Sequence, residues 1–483
     1  MYKTERSSRT FPVPTRILTN GEFDPPPQTA EQRSVELRTL DLADRFSRSH
    51  GMNRRRFLQS AAGMATVFLA MNSVYSPCFN VAEAEASEPG VADKRSAELH
   101  DQLIFDHQLH FVHDEFSFEG LLDLREYAAE HWNPQIRGET RSFEKIRFKN
   151  FLREVFLQSD TKIGLLSGAP SDVKENWFLT NDEMSRARNL INAIAGSRRM
   201  LCHAVFAPGQ PGWIEEIDRA VDELKPDSWK GYTVGDPLSL SKYPWRLDDE
   251  DLMYPVYEKM VKAGLTNVCI HKGLVPNDYL ESYPLWKHAT VDDVPKAAKD
   301  WPQLNFIIYH AAVRPLNDYP KELLEQFQRT GRIEWVSDLA EIPSRHGVKN
   351  VYAEIGTAFA GAAVAHPRHA AALLGILIKS MGADHVLWGT DSVWYGSPQW
   401  QIEAFRRIEI PEDLQEEFSF APLGGARSEV KEKILWLNGV RLYGIETDSA
   451  RAVLTDRLAA CRLGSSEQQD ALLNEIDRDS DPV

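Results

Sequence analysis

Short apolar runs recur along the chain, separated by stretches with helical patterning, and each run stops at a small or polar residue. They are LIFDHQLH from Leu103, KIGLLSG from Lys162, LCHAVFAP from Leu201, SWKGYTV from Ser228, NVCIHKG with His271, NFIIYHA with His310, VYAEIGT with Glu354 and VLWGTDS with Asp391. Runs this short, continuous rather than alternating, are the pattern of strands buried on both faces of a parallel sheet. Between them lie segments such as NDEMSRARNLINAIAGS, GWIEEIDRAVDELK, DEDLMYPVYEKMVKAG, VDDVPKAAKDW and HAAALLGILIKSMGA. Most begin at Asp, Asn or a Gly/Pro turn and stop at Gly or Pro, as helix caps require. Alternation of strand and helix on this scale predicts an α/β fold, a (β/α)8 TIM barrel. An open doubly wound sheet is the rival, but no glycine-rich phosphate loop follows an early strand.

No Pro/Ser/Gly-rich linker divides residues 101–445, so they read as one catalytic domain. The stretch from 111 to 160 is a long aromatic and charged insertion after strand 1, expected to form helices over the barrel mouth or to pack away from it. Residues 446–483 read as a polar C-terminal tail with one helix at DSARAVLTDRLAACR, expected to fray or to pack on a neighbouring subunit.

The front of the chain has a different pattern. Asn53-Arg54-Arg55-Arg56-Phe57-Leu58-Gln59 precedes the apolar SAAGMATVFLAMNSVYS and then small residues at VAEAEAS. That layout resembles a twin-arginine export signal spanning residues 52–86, with cleavage after Ala84 or Ala86. The alternative is a basic run ahead of a core helix. Residues 1–51, polar and non-periodic, are expected to be a disordered leader or to precede the true start at Met52; 87–100 read as a linker. Export implies a periplasmic protein, the twin-arginine machinery as a partner, and a cofactor inserted before transport.

Composition narrows the partners. The formal net charge of -16 argues against nucleic acid and anionic membrane surfaces. No membrane span is expected after processing. Cys202 and Cys269 fall inside strand runs as small apolar residues, and the absence of a CxxC or Cys/His cluster excludes a zinc finger. No G-x-S-x-G elbow suggests a serine hydrolase.

Four of the runs deliver a potential ligand to a strand's C-terminal end: His271, His310, Glu354 and Asp391. FDHQLHF, CIHKG, IIYHAA, WGTDSVW and the closing KEKILWLNGVRLYGI resemble the amidohydrolase superfamily over residues 101–445. The likeness is to the amidohydrolase-related branch that also holds aminocarboxymuconate-semialdehyde decarboxylase-like enzymes. The resemblance implies a divalent metal, zinc by preference with manganese or iron as alternatives, held by His110, His271 and Asp391, with His310 beside it in catalysis. It also implies a frequent dimer. One position departs: the D-x-H-x-H pattern of strand 1 has Gln108 where the first His belongs. His107 lies on the opposite strand face and cannot replace it without a bulge. Gln108 then becomes a weak fourth ligand that suits harder cations.

Lys230, Arg314, Glu354 and Trp394 are candidates for substrate binding; a structural Lys230 and a surface ion pair at Arg314 are the plainer readings. The expected reaction is hydrolysis of an amide, lactone or ester of a small organic molecule through a metal-activated water. Asp391 acts as base and His310 as acid or oxyanion stabiliser. Decarboxylation of an aromatic or unsaturated acid is the alternative, and a non-catalytic binding barrel the third reading.

Overall fold

The computed structural model describes residues 11–15, 28–117, 143–237, 239–274, 284–314, 320–394 and 396–479. Eight parallel strands follow one another in chain order. They are β1 (Phe105–Leu109), β2 (Ile163–Leu166), β3 (Met200–Val205), β4 (Ser228–Tyr232), β5 (Asn267–His271), β6 (Asn305–Tyr309), β7 (Val351–Glu354) and β8 (Val386–Leu387). Every predicted run contains one. The sheet closes on itself where His107 N donates to Trp388 O at 3.0 Å and Asp391 N donates to Gln108 O at 3.0 Å. The fold is therefore the expected TIM barrel.

Helices fall where the caps place them. Thr180 and Glu183 form a reciprocal capping box at the start of the helix Asn181–Ala195, which ends at Gly196 in the left-handed conformation. The remaining layer includes Trp213–Arg219, Tyr254–Lys262, Val294–Asp300, Pro367–Met381 and Gln399–Arg407. Of the insertion after β1, residues 118–142 lie outside the described residues. The part that follows them, Phe148–Leu152 and the turn to Leu157, is buried against the barrel.

Three expectations about the flanking segments fail. Residues 30–49, read as disordered leader, form a helix, α1 (Ala30–Ser49), whose Val35, Leu42, Ala43 and Phe46 are buried. It is followed by α2 (Arg54–Leu58), α3 (Ala61–Tyr75), α4 (Glu83–Ser87) and α5 (Val91–Leu99), so the expected linker at 87–100 is largely helical. The reason is packing: α1 has a single apolar stripe, which becomes stable once α3 covers it. The tail also differs from its expectation. Thr447–Ala452, Arg457–Arg462 and Ser466–Asp479 are helices of the same body. Asp456 binds the buried Arg199 guanidinium through contacts of 2.6 and 2.8 Å, and Leu473 is fully buried. Among the described residues no helix is long and apolar enough to cross a membrane.

Candidate active site

The ends of β1, β5, β6, β7 and the loop after β8 bring their polar side chains to one buried point. Asp391 stands at its centre. Its Oδ1 accepts a hydrogen bond from Gln108 Nε2 at 2.9 Å and lies 3.1 Å from His110 Nε2, while Oδ2 accepts from Thr357 Oγ1 at 2.7 Å. Gln108 Nε2 also lies 3.3 Å from His310 Nε2 and 3.4 Å from His110 Nε2. His310 Nε2 in turn is 3.2 Å from His271 Nδ1.

The partners fix the proton positions. His310 Nδ1 is 2.9 Å from the carbonyl of Gly356, which can only accept, so Nδ1 carries the proton and Nε2 presents a lone pair to the centre. His271 must then donate from Nδ1, leaving its Nε2 as the unprotonated nitrogen. Tyr232 stacks on the His271 ring at 4.7 Å, and Trp394 on His110 at 5.5 Å, which holds both imidazoles in plane.

Three residues of this site adopt left-handed backbone conformations that are costly for side chains with a Cβ: His310 (φ 59°), Thr357 (φ 57°) and Asp391 (φ 58°). Each costs on the order of 1–3 kcal/mol, and such strain concentrates at functional sites. The surroundings enforce it. Both Glu354 oxygens are taken by backbone amides, Oε1 by Gly356 N at 2.6 Å and Oε2 by His310 N at 3.2 Å. A side chain at position 389 would place its Cβ 1.8 Å from Glu354 Oε1, so Gly389 is required for this carboxyl to reach its post. Asp106 does the equivalent work for the loop after β8, accepting from Thr390 N at 3.0 Å and Gln108 N at 3.1 Å.

Burial separates the charges. Burial alone would raise Asp391, but the His110 hydrogen bond and charge, then His310 and Thr357, hold it down to about 2. Burial pushes Glu354 up to about 8 and Asp106 up to about 7 against the amides they bind. It pushes His310 down to about 4 and His271 well below its ordinary value, with Lys230 adding to both effects. At neutral pH the centre thus holds an ionised Asp391 with His310 and His271 in their neutral forms.

The expected ligand set is only partly assembled. Among the described residues no three or more His, Cys, Asp or Glu side chains form a group able to hold a cation. His110 and Asp391 are paired, His271 is paired with His310, and Gln108 stands between the pairs. The donor chemistry still suits a divalent cation. Gln108 Oε1 and His110 Nδ1 are buried without a hydrogen-bond partner. A carboxamide oxygen, a carboxylate and imidazole nitrogens are donors that a divalent cation accepts. His107 does not enter the site although β1 carries a register irregularity between Asp106 and Leu109. Its Nδ1 bonds Trp388 O at 2.8 Å, and its ring stacks on Phe105 at 4.1 Å.

The other candidates divide. Lys230 is fully buried with its ammonium 3.4 Å from the centre of the Tyr309 ring. Arg314 is ion-paired with Glu334, as the plainer reading had it. Glu354 is not placed to bind substrate, because both its oxygens position the β6 and β7 ends. Trp394 packs between His110 and Phe178 and is 2% exposed. The reading of the sequence missed Thr357 and the anchoring role of Asp106. The signal was there: β7 and β8 both run into a Gly-Thr pair, Gly356-Thr357 and Gly389-Thr390, and both threonines bond a site carboxylate.

Solved structures with similar folds are distant. One is an uncharacterised TIM-barrel protein from Bordetella bronchiseptica, 16% identical, covering 72% of this chain and 99% of that one with a TM-score of 0.45. Another is a 5-carboxyvanillate decarboxylase from Novosphingobium aromaticivorans with bound manganese, at 14% identity, 72% and 98% coverage, and a TM-score of 0.43. A third is a 2,6-dihydroxybenzoate decarboxylase from Rhizobium, at 15% identity, 71% and 99% coverage, and a TM-score of 0.41. No curated protein matches the sequence. The family model described as amidohydrolase matches residues 173–445, a span that holds β3 to β8 with His271, His310 and Asp391, while Gln108 and His110 lie upstream of it. As that span is more than half of the 483 residues, the chain belongs to the amidohydrolase family, a family of enzymes.

Proposed function

We propose that this enzyme is a carboxy-lyase that removes CO2 from a small aromatic or unsaturated carboxylic acid. The observation that carries the reading is the setting of Asp391, whose two oxygens are engaged by Gln108, His110 and Thr357. Hydrolysis asks this residue to take a proton from water, and a carboxylate held near 2 is a poor base at neutral pH. The hydrolytic reading weakens accordingly. Gln108, a neutral carboxamide in place of an imidazole, weakens it further, since water activation near neutral pH is the property of imidazole-rich zinc sites and a carboxamide oxygen suits harder cations.

Decarboxylation uses the same atoms differently. Asp391 stays ionised and orients the centre through Gln108, His110 and Thr357. His110, Asp391 and Gln108, with His271 beside them, would hold a divalent cation, manganese, iron or zinc. When bound, it supplies Lewis-acid polarisation of the substrate's oxygens. The bond between the ring carbon and the carboxyl carbon breaks, CO2 leaves, and the electron pair stays on the ring carbon until a proton replaces the lost group. His310 is the carrier for that proton. Its Nδ1 is tied to Gly356 O and its neutral Nε2 faces the centre, so it takes a proton from solvent and passes it to the ring carbon, returning to the neutral form; the low pKa of about 4 makes the transient imidazolium a strong donor. Lys230, buried beneath Tyr232 and Tyr309, contributes positive potential that favours an anionic substrate.

The test is CO2 release from a panel of hydroxybenzoic acids and related unsaturated acids, with lactones and amides run in parallel. The expected result is CO2 from at least one acid, reduced about 10²–10⁴-fold in His310→Ala. Turnover of lactones or amides with no CO2 from any acid would return the assignment to hydrolysis.

A further inference from the structure

The segment with the layout of an export signal is built into the folded body. α3 is buried along most of its length, with Val67, Phe68 and Ala70 fully covered. Phe57 and Leu58 are buried beneath it, while Arg54, Arg55 and Arg56 are exposed. Position 63 allows only glycine, because a Cβ there would meet Phe57 O at 2.2 Å. α1 covers one side of α3, and the barrel helices cover the other: Tyr75 packs on His366 at 4.5 Å and the Arg407 guanidinium lies 5.6 Å from the Phe68 ring centre.

Backbone and buried charge tie the same segment to the barrel. Phe79 pairs with Ile408 in an antiparallel bridge, flanked by Asn80 N→Arg407 O and Glu409 N→Cys78 O, each at 2.7 Å. Arg407, itself 3% exposed, binds Glu85 at 2.7 Å, Glu403 at 3.3 Å and the carbonyl of Asn80 at 3.3 Å. Asn80 lies before both expected cleavage points, and Glu85 lies before the second. The bonds after Ala84 and Ala86 fall inside α4, and Ala86 is fully buried. Proteases cut exposed, flexible chain, which this is not.

We propose that residues 53–86 are retained in the finished protein as a helical clamp on the barrel, rather than removed as a signal peptide. The clamp closes the apolar surface of the helices around Val364–His366 and Phe405–Ile408 and satisfies Arg407. A chain that folds before any transport buries its own cleavage site and leaves the arginine face of α2 open to a receptor.

Two measurements decide it. The full chain is produced in a bacterium that carries the twin-arginine machinery, and the recovered protein is weighed intact. The expected mass includes residues 53–86, whether translation starts at Met1 or Met52; a species beginning at Glu85 or Ser87 overturns retention. A chain begun at Ser87 is then compared with the full chain in thermal unfolding. The clamp predicts loss of the cooperative transition or a midpoint at least ten degrees lower, and an unchanged midpoint overturns it.

Discussion

Asp391 is held by three neighbours at once, and its chemistry follows from them. Burial opposes its charge, yet His110, His310 and the Thr357 hydroxyl keep it ionised. The Thr357 bond to a charged, buried oxygen is worth about 1.5–3 kcal/mol. Thr357→Val removes that donor, so the Asp391 pKa rises and the acid limb of the pH–rate profile moves to higher pH. Activity near pH 4 should fall more than activity at neutral pH, where Asp391 stays ionised, and Thr357→Ser should restore it. A Val variant with an unmoved acid limb would show that the hydroxyl does not reach the charged atom. His310, Asp391 and His110 were legible in the sequence because each ends an apolar run. Thr357 was not, because its approach to Asp391 depends on a left-handed turn that no propensity announces. Arg314 shows the converse: its position suggested a substrate carboxylate, and Glu334 takes it instead.

The eight strands were legible because a buried parallel strand has a sequence pattern of its own. α1 was not. Its stripe of Val35, Leu42, Ala43 and Phe46 is diluted by arginines and glutamates, and it reads as helix only if α3 is known to lie beside it. At the C-terminus the stretch DSARAVLTDRLAACR was legible as helix, but its division in two and the last helix, Ser466–Asp479, were missed for the same reason, since their small apolar faces acquire meaning from the barrel wall. Their attachment can be measured. Arg199 and Asp456 are both nearly inaccessible, and removing one partner of such a pair costs about 3–5 kcal/mol because the other charge is left buried. Asp456→Ala should therefore lower the urea midpoint markedly, with Asp456→Ala/Arg199→Met recovering part of the loss. A single variant as stable as the parent would mean that the tail is not part of the cooperative unit.

For the molecule as a whole, buried histidines set the acid limit of stability. Burial pushes His107, His366 and His369 down to about 4, and His203 well below its ordinary value. Unfolded, each titrates near 6.5. Between 6.5 and 4 the unfolded chain binds more protons than the folded one, so stability falls as pH falls through that window. Asp106 and Glu354, raised by burial, work in the opposite direction, as two groups against these four together with His271 and His310 of the site. The urea midpoint should be lower at pH 5 than at pH 7; an equal or higher value would show that these histidines are not buried in solution.

Which bond the enzyme breaks can be read directly with isotope labels. The manganese-loaded protein is incubated with a pool of hydroxybenzoic acids, lactones and amides, once in deuterium oxide and once in water enriched in oxygen-18, and the products are weighed. A carboxy-lyase gives a product lighter by CO2, with one deuterium on carbon and no label from the enriched water. A product that instead gains oxygen-18, with its carbon skeleton intact, would establish hydrolysis and contradict the account.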